Sequence, residues 1–225
     1  MSDYVIGSWL GFFLLLGLLS FRSDSSGDSK PALWELDNLT QVGGHPVTVL
    51  GQPEVISTPG GKAILFDGKD DALIVDSNPL AGLDRFTVEV IFRPDPGGEK
   101  EQRFLHMQAT ETRRALIETR LTGENEWFLD TFLKSDTSER TLQAKQALHR
   151  LGAWYHAALV YDGVRMRHYV NRQLETKGPV YFPPLEGGQT SIGCRLNRVF
   201  WFKGAIRTVR VTPAILDPTD FLPMP

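Results

Sequence analysis

The segment RFTVEVIFR, residues 85–93, alternates without a break. Phe86, Val88, Val90 and Phe92 fall on one side, and Thr87, Glu89, Ile91 and Arg93 on the other. Successive strand side chains point to opposite faces, so a period of two predicts a strand with one face in a core. Pro94 is expected to end it, because proline donates no hydrogen bond to a ladder. Beyond residue 32, no window keeps apolar residues three and four apart. Short runs of this kind recur instead, punctuated by Gly, Pro, Asp and Asn, and no internal repeat is present. That is the pattern of an all-β sandwich or barrel.

Two further segments sharpen the expectation. RALIETRLT and EWFLDTFLK read as a strand pair joined through residues 123–125. In WYHAALVYDGVRMRHYVN, Asp162-Gly163 suits a two-residue type I′ turn, in which both central residues have positive φ. Such a turn would set Tyr161 opposite Val164, Leu159 opposite Met166 and Ala157 opposite His168 as the core face. Val160 with Arg165, Ala158 with Arg167 and His156 with Tyr169 would then form a basic, aromatic outer surface.

Composition narrows the function. Of 225 residues, 41% are apolar, enough for a sizeable core. The net charge of −3 argues against a surface that tracks phosphates, so no nucleic acid partner is expected. Cys194 is the lone cysteine, which excludes an internal disulfide and, in strand-like surroundings, reads as a buried, inert thiol. Residues 4–21, YVIGSWLGFFLLLGLLSF, carry no charge. They are long enough for a signal peptide or a membrane anchor, so residues 1–21 are read as an export segment or anchor forming an apolar helix outside the domain. Residues 22–32 are small and polar and read as a linker, leaving residues 33–225 as the domain. Secreted or cell-surface placement is the expectation, with membrane contact only through the N-terminal segment. NLT, residues 38–40, fits a glycosylation acceptor where the host modifies exported proteins.

ILFDGKDDALIV, FTVEVIFRP, WYHAALVYDGVRMRHYVN, SIGCR and FKGAIRTVRV follow one another in an order that resembles laminin-G-like domains of the concanavalin A-like lectin and glucanase superfamily. The resemblance runs from about Ala63 to Phe221. It implies a jelly-roll sandwich of two antiparallel sheets, and a domain that binds glycan or an extracellular protein. It also implies that Trp154 is a structural tryptophan. Two places depart from the family pattern. Arg207-Thr208 stands where an acidic pair is frequent, and Asn171-Arg172 where Asn-Gly is usual.

Calcium is frequent in such domains, and Asp67, Asp70 and Asp71 offer carboxylates. The alternative is a sharp turn starting a strand, because Asp67 precedes Gly68 and Asp side chains cap such turns. Lys69 between the acids weighs against a dication, and the turn reading is preferred. The glucanase acid arrangement E-x-D-x-x-E is absent. Glu126 and Asp130 would share a strand face about 13 Å apart, too far for retaining chemistry. Glu118 is a conceivable partner, but pairing of these acids with Arg114 and Arg120 is the simpler expectation. The histidines show no zinc spacing. The candidate ligand residues are therefore Trp127, Trp201, Arg120, Asp130, Arg167 and Tyr169, with Trp201 and Arg167 expected to be partly exposed. The reading is a noncatalytic recognition domain. A glycoside-active enzyme with an atypical acid pair and a structural cell-surface domain are the alternatives.

Overall fold

The computed structural model describes Met1 and residues 30–123 and 125–223, so the apolar segment of residues 4–21 lies outside the described residues. In chain order the strands are β1 (Ala32–Glu35), β2 (Gln41–Val42), β3 (His45–Leu50), β4 (Glu54–Thr58), β5 (Gly61–Asp67) and β6 (Ala72–Val75). Then come β7 (Phe86–Pro94), β8 (Glu101–Thr110), β9 (Arg113–Leu121), β10 (Glu126–Lys134), β11 (Glu139–Gln143) and β12 (His149–Arg150). The last five are β13 (Tyr155–Tyr161), β14 (Arg165–Val170), β15 (Gln173–Pro179), β16 (Gln189–Ile192) and β17 (Lys203–Thr212). A single 3₁₀ turn at Pro218–Asp220 is the only helical element among the described residues.

Two antiparallel sheets pack face to face. Sheet I runs β15-β14-β13-β7-β17-β5-β4, with β1 added beside β17. Sheet II runs β11-β10-β9-β8-β16-β6-β3-β2, with β12 beside β10. This is an all-β sandwich, one of the two architectures that the alternation predicts, and it agrees with the jelly roll that the resemblance implies. Phe86, Val88, Val90 and Phe92 of β7 all lie in the core between the sheets. Pro94 is the final residue of β7, where it costs no interior ladder bond. Phe92 stacks on Phe104 at 4.5 Å and meets Trp127 edge-on at 5.3 Å, tying β7 of one sheet to β8 and β10 of the other. Buried Thr131 and His168 Nδ1 make a hydrogen bond of 3.0 Å across the same interior.

The β13–β14 hairpin corrects the expected register. Tyr161 pairs with Met166, Leu159 with His168 and Ala157 with Val170, a shift of two residues. The cause is Asp162, whose Oδ1 accepts from Val164 N at 3.0 Å and Arg165 N at 2.7 Å and so closes a longer loop. Only Gly163 of the pair has positive φ. Because the shift is even, the side chains within the paired strands keep their predicted faces, whereas Val164, expected in the core, lies exposed in the loop. The two-residue turn with both residues left-handed occurs one hairpin later, at Asn171 (φ 50°) and Arg172 (φ 67°) between β14 and β15.

The outer face of sheet I is also corrected. Most of the expected surface is covered by the chain's own C-terminal segment, while Arg165 and Arg167 stay at least partly exposed. Thr87, Glu89, His156, Ala158 and Val160 are fully or almost fully buried. Phe221 seats between His156 and Tyr169, each ring 5.3 Å away. Leu222 N donates to Glu89 Oε1, His156 Nε2 bonds the same oxygen, and Arg210 Nε donates to Oε2. Arg172 holds the segment from the other side, donating to the carbonyls of Phe221 and Leu222 at 3.2 and 3.4 Å. We call residues 213–223 the strap.

Candidate functional site

With one outer face strapped, the outer face of sheet II carries the site. Alternation along β9 turns Arg114, Leu116, Glu118 and Arg120 outward, while Ala115, Ile117 and Leu121 enter the core. On β10, Phe128, Asp130 and Phe132 face outward, and Trp127, Leu129 and Leu133 face inward. Register then sets Arg103, Glu118, Asp130 and Gln143 side by side across four strands. Arg120 binds this row together. Its Nε donates to Asp130 Oδ2 at 2.7 Å and its Nη2 to Glu118 Oε2 at 3.1 Å, while Nη1 pairs with Glu101. Arg103 Nε donates to the other Glu118 oxygen at 3.0 Å, and Gln143 Nε2 to Asp130 Oδ2 at 2.9 Å.

Above the row lies a cavity of about 140 Å³ lined by Arg103, Arg114, Leu116, Glu118, Arg120, Phe132, Thr141 and Arg195. Arg195 comes from the loop after β16. That loop also brings Phe200, whose ring lies 3.6 Å from the Arg103 guanidinium. Burial and the charge of Asp130 push the Glu118 carboxyl up to about 7, against the pull of Arg103 and Arg120. Burial also raises Asp130, although Gln143 and Arg120 oppose it.

The predicted residues divide. Arg120 lines the cavity, and half-buried Trp201 follows Phe200 in the bordering loop. Asp130 lies under the cavity with 0% exposure, so it braces Arg120 and is out of a ligand's reach. Trp127 is a correction: it is 0% exposed, packed in the core against Phe92, Tyr155 and His149, because Trp127 falls on the inward parity of β10. Arg167 and Tyr169 are on sheet I, the opposite side of the sandwich. Arg167 is partly exposed and pairs with Asp162, and Tyr169 is buried under the strap. Trp154 is half-buried, with the Arg93 and Arg207 guanidinium groups each 5.6 Å from its ring, so it packs between cations and not in the core cluster. Arg103 and Arg195 were missed, and Arg114, expected to pair with the acids of β9 and β10, has no carboxylate within ion-pair distance among the described residues, whereas Arg120 pairs with both Glu118 and Asp130. The outward Arg114-x-x-x-Glu118-x-Arg120 parity was available in the sequence, but the approach of Arg195 depends on β16 pairing with β8.

The acidic corner is a turn. Asp67 Oδ1 accepts from Lys69 N and Asp70 N, and Asp71 accepts from Gln52 N at 2.6 Å and Asp67 N at 3.0 Å. Gly51 (φ 65°) permits this approach, since a Cβ there would stand 2.3 Å from Asp71 Oδ1. The three carboxylates come within 4.8 Å of one another, yet Asp67 and Asp71 already use oxygens on backbone amides. Cys194 is buried, and burial pushes its thiol up to about 12, which leaves it unreactive.

Comparison with known proteins agrees with this architecture. A laminin G family model, described as the concanavalin A-like lectin/glucanases superfamily, matches residues 67–220. The chain belongs to that superfamily. Comparison with curated proteins gives no match. Among solved structures, it is similar to domain 4 of a GH43 extracellular arabinanase from Geobacillus stearothermophilus in complex with arabinotriose. That match has a TM-score of 0.64 and 16% identity, covering 84% of this chain and 94% of that one. The sialidase CBM40 of Ruminococcus gnavus, bound to α2,3 sialyllactose, matches with a TM-score of 0.52 and 16% identity, covering 76% and 95%. A structure of botulinum neurotoxin type C, whose cell entry depends on interaction with two ganglioside molecules, matches with a TM-score of 0.59 and 13% identity over 84% of this chain. The chain spans 49% of that toxin chain. At these identities the likeness is one of fold.

Proposed function

We propose that this is an exported, noncatalytic recognition domain that binds carbohydrate on the outer face of sheet II. The observation that carries the reading is the polar cavity flanked by Phe132 and Thr141 on the one sheet face without a strap. Guanidinium groups supply planar donors for sugar hydroxyls, and half-buried aromatic rings suit apolar sugar faces. Solved structures of the same fold hold arabinotriose and sialyllactose, which supports glycan over a protein partner. Export rests on the apolar run of residues 4–21.

One observation favours an enzyme: Glu118, raised to about 7, lies directly opposite a second acid, Asp130. A glycosidase needs both carboxylates at the scissile bond. Asp130 is wholly covered and bonded to Arg120 and Gln143, so it can act neither as nucleophile nor as base on a bound sugar. The test is a glycan array with the full chain, with and without EDTA, alongside a turnover assay on any glycan bound. Binding without turnover is expected. Hydrolysis abolished by Glu118→Gln would establish the enzyme, and no glycan binding would leave a protein-binding or structural domain. Secretion of the full chain, followed by fractionation of cells and medium, tests export and retention.

A further inference from the structure

The charges around the sheet II cavity are unbalanced in a specific way. Four arginines line it, against one carboxylate, Glu118. Asp130 and Glu101 lie outside the lining; Asp130 pairs with Arg120, and Glu101 with Arg120 and, at 3.8 Å, with Arg103. Arg103 shares Glu118 with Arg120. Among the described residues, Arg114 and Arg195 have no carboxylate partner within ion-pair distance. Arg114 Nε and Arg103 Nη1 are shielded from solvent and have no hydrogen-bond acceptor. An unsatisfied buried donor costs about 1–3 kcal/mol, more for a charged one, so an acceptor that reaches these donors, water or an anion, would stabilise the arrangement.

The neighbouring groups register the same field. His106 is the cross-strand partner of Leu116, so it shares the outer face with the cavity. Its Nδ1 accepts from Leu196 N, so the proton of the neutral ring sits on Nε2, which has no partner. Burial and then the charges of Arg195, Arg114 and Arg103 hold His106 down at about 3. Burial and the nearby Arg195 and Arg103 also lower Arg114, against the pull of Glu139 and Glu111. Unneutralised cations facing one small space favour a small planar or tetrahedral oxyanion, which guanidinium forks bind in bidentate fashion. The volume of about 140 Å³ admits such a group and excludes a whole sugar ring with its substituents.

We propose that the cavity formed by Arg103, Arg114 and Arg195 binds the oxyanion of an acidic saccharide, a carboxylate or a sulfate ester, with the sugar ring lying outside against Phe132. This deepens the carbohydrate reading and rests on it. Thr141 and Glu118 then serve the hydroxyls beside the anion, and the acid row under the cavity positions Arg120.

The experiment is an array carrying neutral, carboxylated and sulfated saccharides. It is followed by calorimetry of the best acidic ligand and its neutral counterpart on wild type, Arg195→Gln and Arg114→Gln. The acidic ligand is expected to bind at least tenfold tighter than the neutral one, and either variant to remove that preference, weakening the acidic ligand at least tenfold more than the neutral one. Comparison of the carboxylated and sulfated sets identifies the source of the oxyanion. Among the described residues the Arg195 side chain makes no hydrogen bond, so Arg195→Gln orphans none of them and decides the matter if Arg114→Gln melts early. Equal affinity for neutral and acidic saccharides, or an acidic preference that survives both substitutions, overturns the proposal while leaving a glycan-binding domain. Failure to bind any saccharide overturns both.

Discussion

At the scale of single residues, Arg172 shows why a departure from a pattern need not be neutral. It occupies φ 67°, a region where an L side chain costs about 1–2 kcal/mol and glycine nothing comparable. The compensation is visible: its guanidinium donates to two strap carbonyls. Removing the side chain two ways separates these effects. Arg172→Ala loses the bonds and keeps the strain, whereas Arg172→Gly loses the bonds and the strain together. In urea unfolding, Arg172→Gly is expected to be more stable than Arg172→Ala by about 1 kcal/mol, and equal stabilities would show that the turn is unstrained. Asp71 offers a test of calcium binding at the same scale. Its two oxygens accept from Gln52 N and Asp67 N, work that an amide with one oxygen cannot duplicate. Asp71→Asn is expected to cost about 1–3 kcal/mol, by the same amount in calcium and in EDTA. A loss confined to calcium-containing buffer would convert the corner into a cation site.

At the scale of elements, the strap acts as an additional layer on sheet I. Phe221 is 4% exposed and fills the space between His156 and Tyr169. Phe221→Ala should cost about 3 kcal/mol in chemical denaturation, the usual penalty for emptying a buried aromatic site. A cost under 0.5 kcal/mol, roughly that of a surface change, would mean that the strap does not hold its place. Its electrostatic anchor is Glu89. Desolvation pushes this carboxyl up, but the bonds from His156, Arg210 and Leu222 N outweigh it and hold the group below its ordinary 4.5. A depressed carboxylate contributes stability that is present above the unfolded value and is lost as pH falls through the folded one. Glu89→Gln should therefore destabilise the protein near pH 7 and differ progressively less from wild type below about pH 4, as read by melts across that range. A difference that stays constant with pH would deny the anchor its charge. The strap also explains what the sequence did not disclose. Thr87 and Glu89 alternate with apolar residues as if facing water, and nothing local shows that residues 214–222 return to cover them. The even, two-residue shift of the β13–β14 register was equally hidden, because it depends on one Asp162 side chain capping two amides.

At the scale of the whole molecule, the legible part was the part that alternation determines. The core face of β7, the β9–β10 pairing and the turn at Asp67 follow from local chemistry, and the two-layer sandwich follows from many such strands. The site was legible only in pieces, because its arginines come from β8, β9 and a loop after β16 that are neighbours only once sheet II is assembled. Parity decided which candidates survived: Arg120 points out of sheet II, Trp127 points in, and Arg167 belongs to the other sheet. The sandwich is consequently asymmetric, with part of the outer face of sheet I covered by the strap and sheet II open at the cavity. Sidedness can be measured directly. Phe132 lines the cavity and is half-buried, so Phe132→Ala removes apolar contact with a sugar while emptying little of the core. Arg167 pairs with Asp162 on the far side and is also partly exposed. For the best array ligand, Phe132→Ala should weaken binding about tenfold, a loss near 1.4 kcal/mol, and Arg167→Ala should change it less than twofold. If Arg167→Ala weakens binding and Phe132→Ala does not, the ligand sits on sheet I. The strap would then have to lift to admit it, and Phe221→Ala, which empties that seat, would strengthen binding.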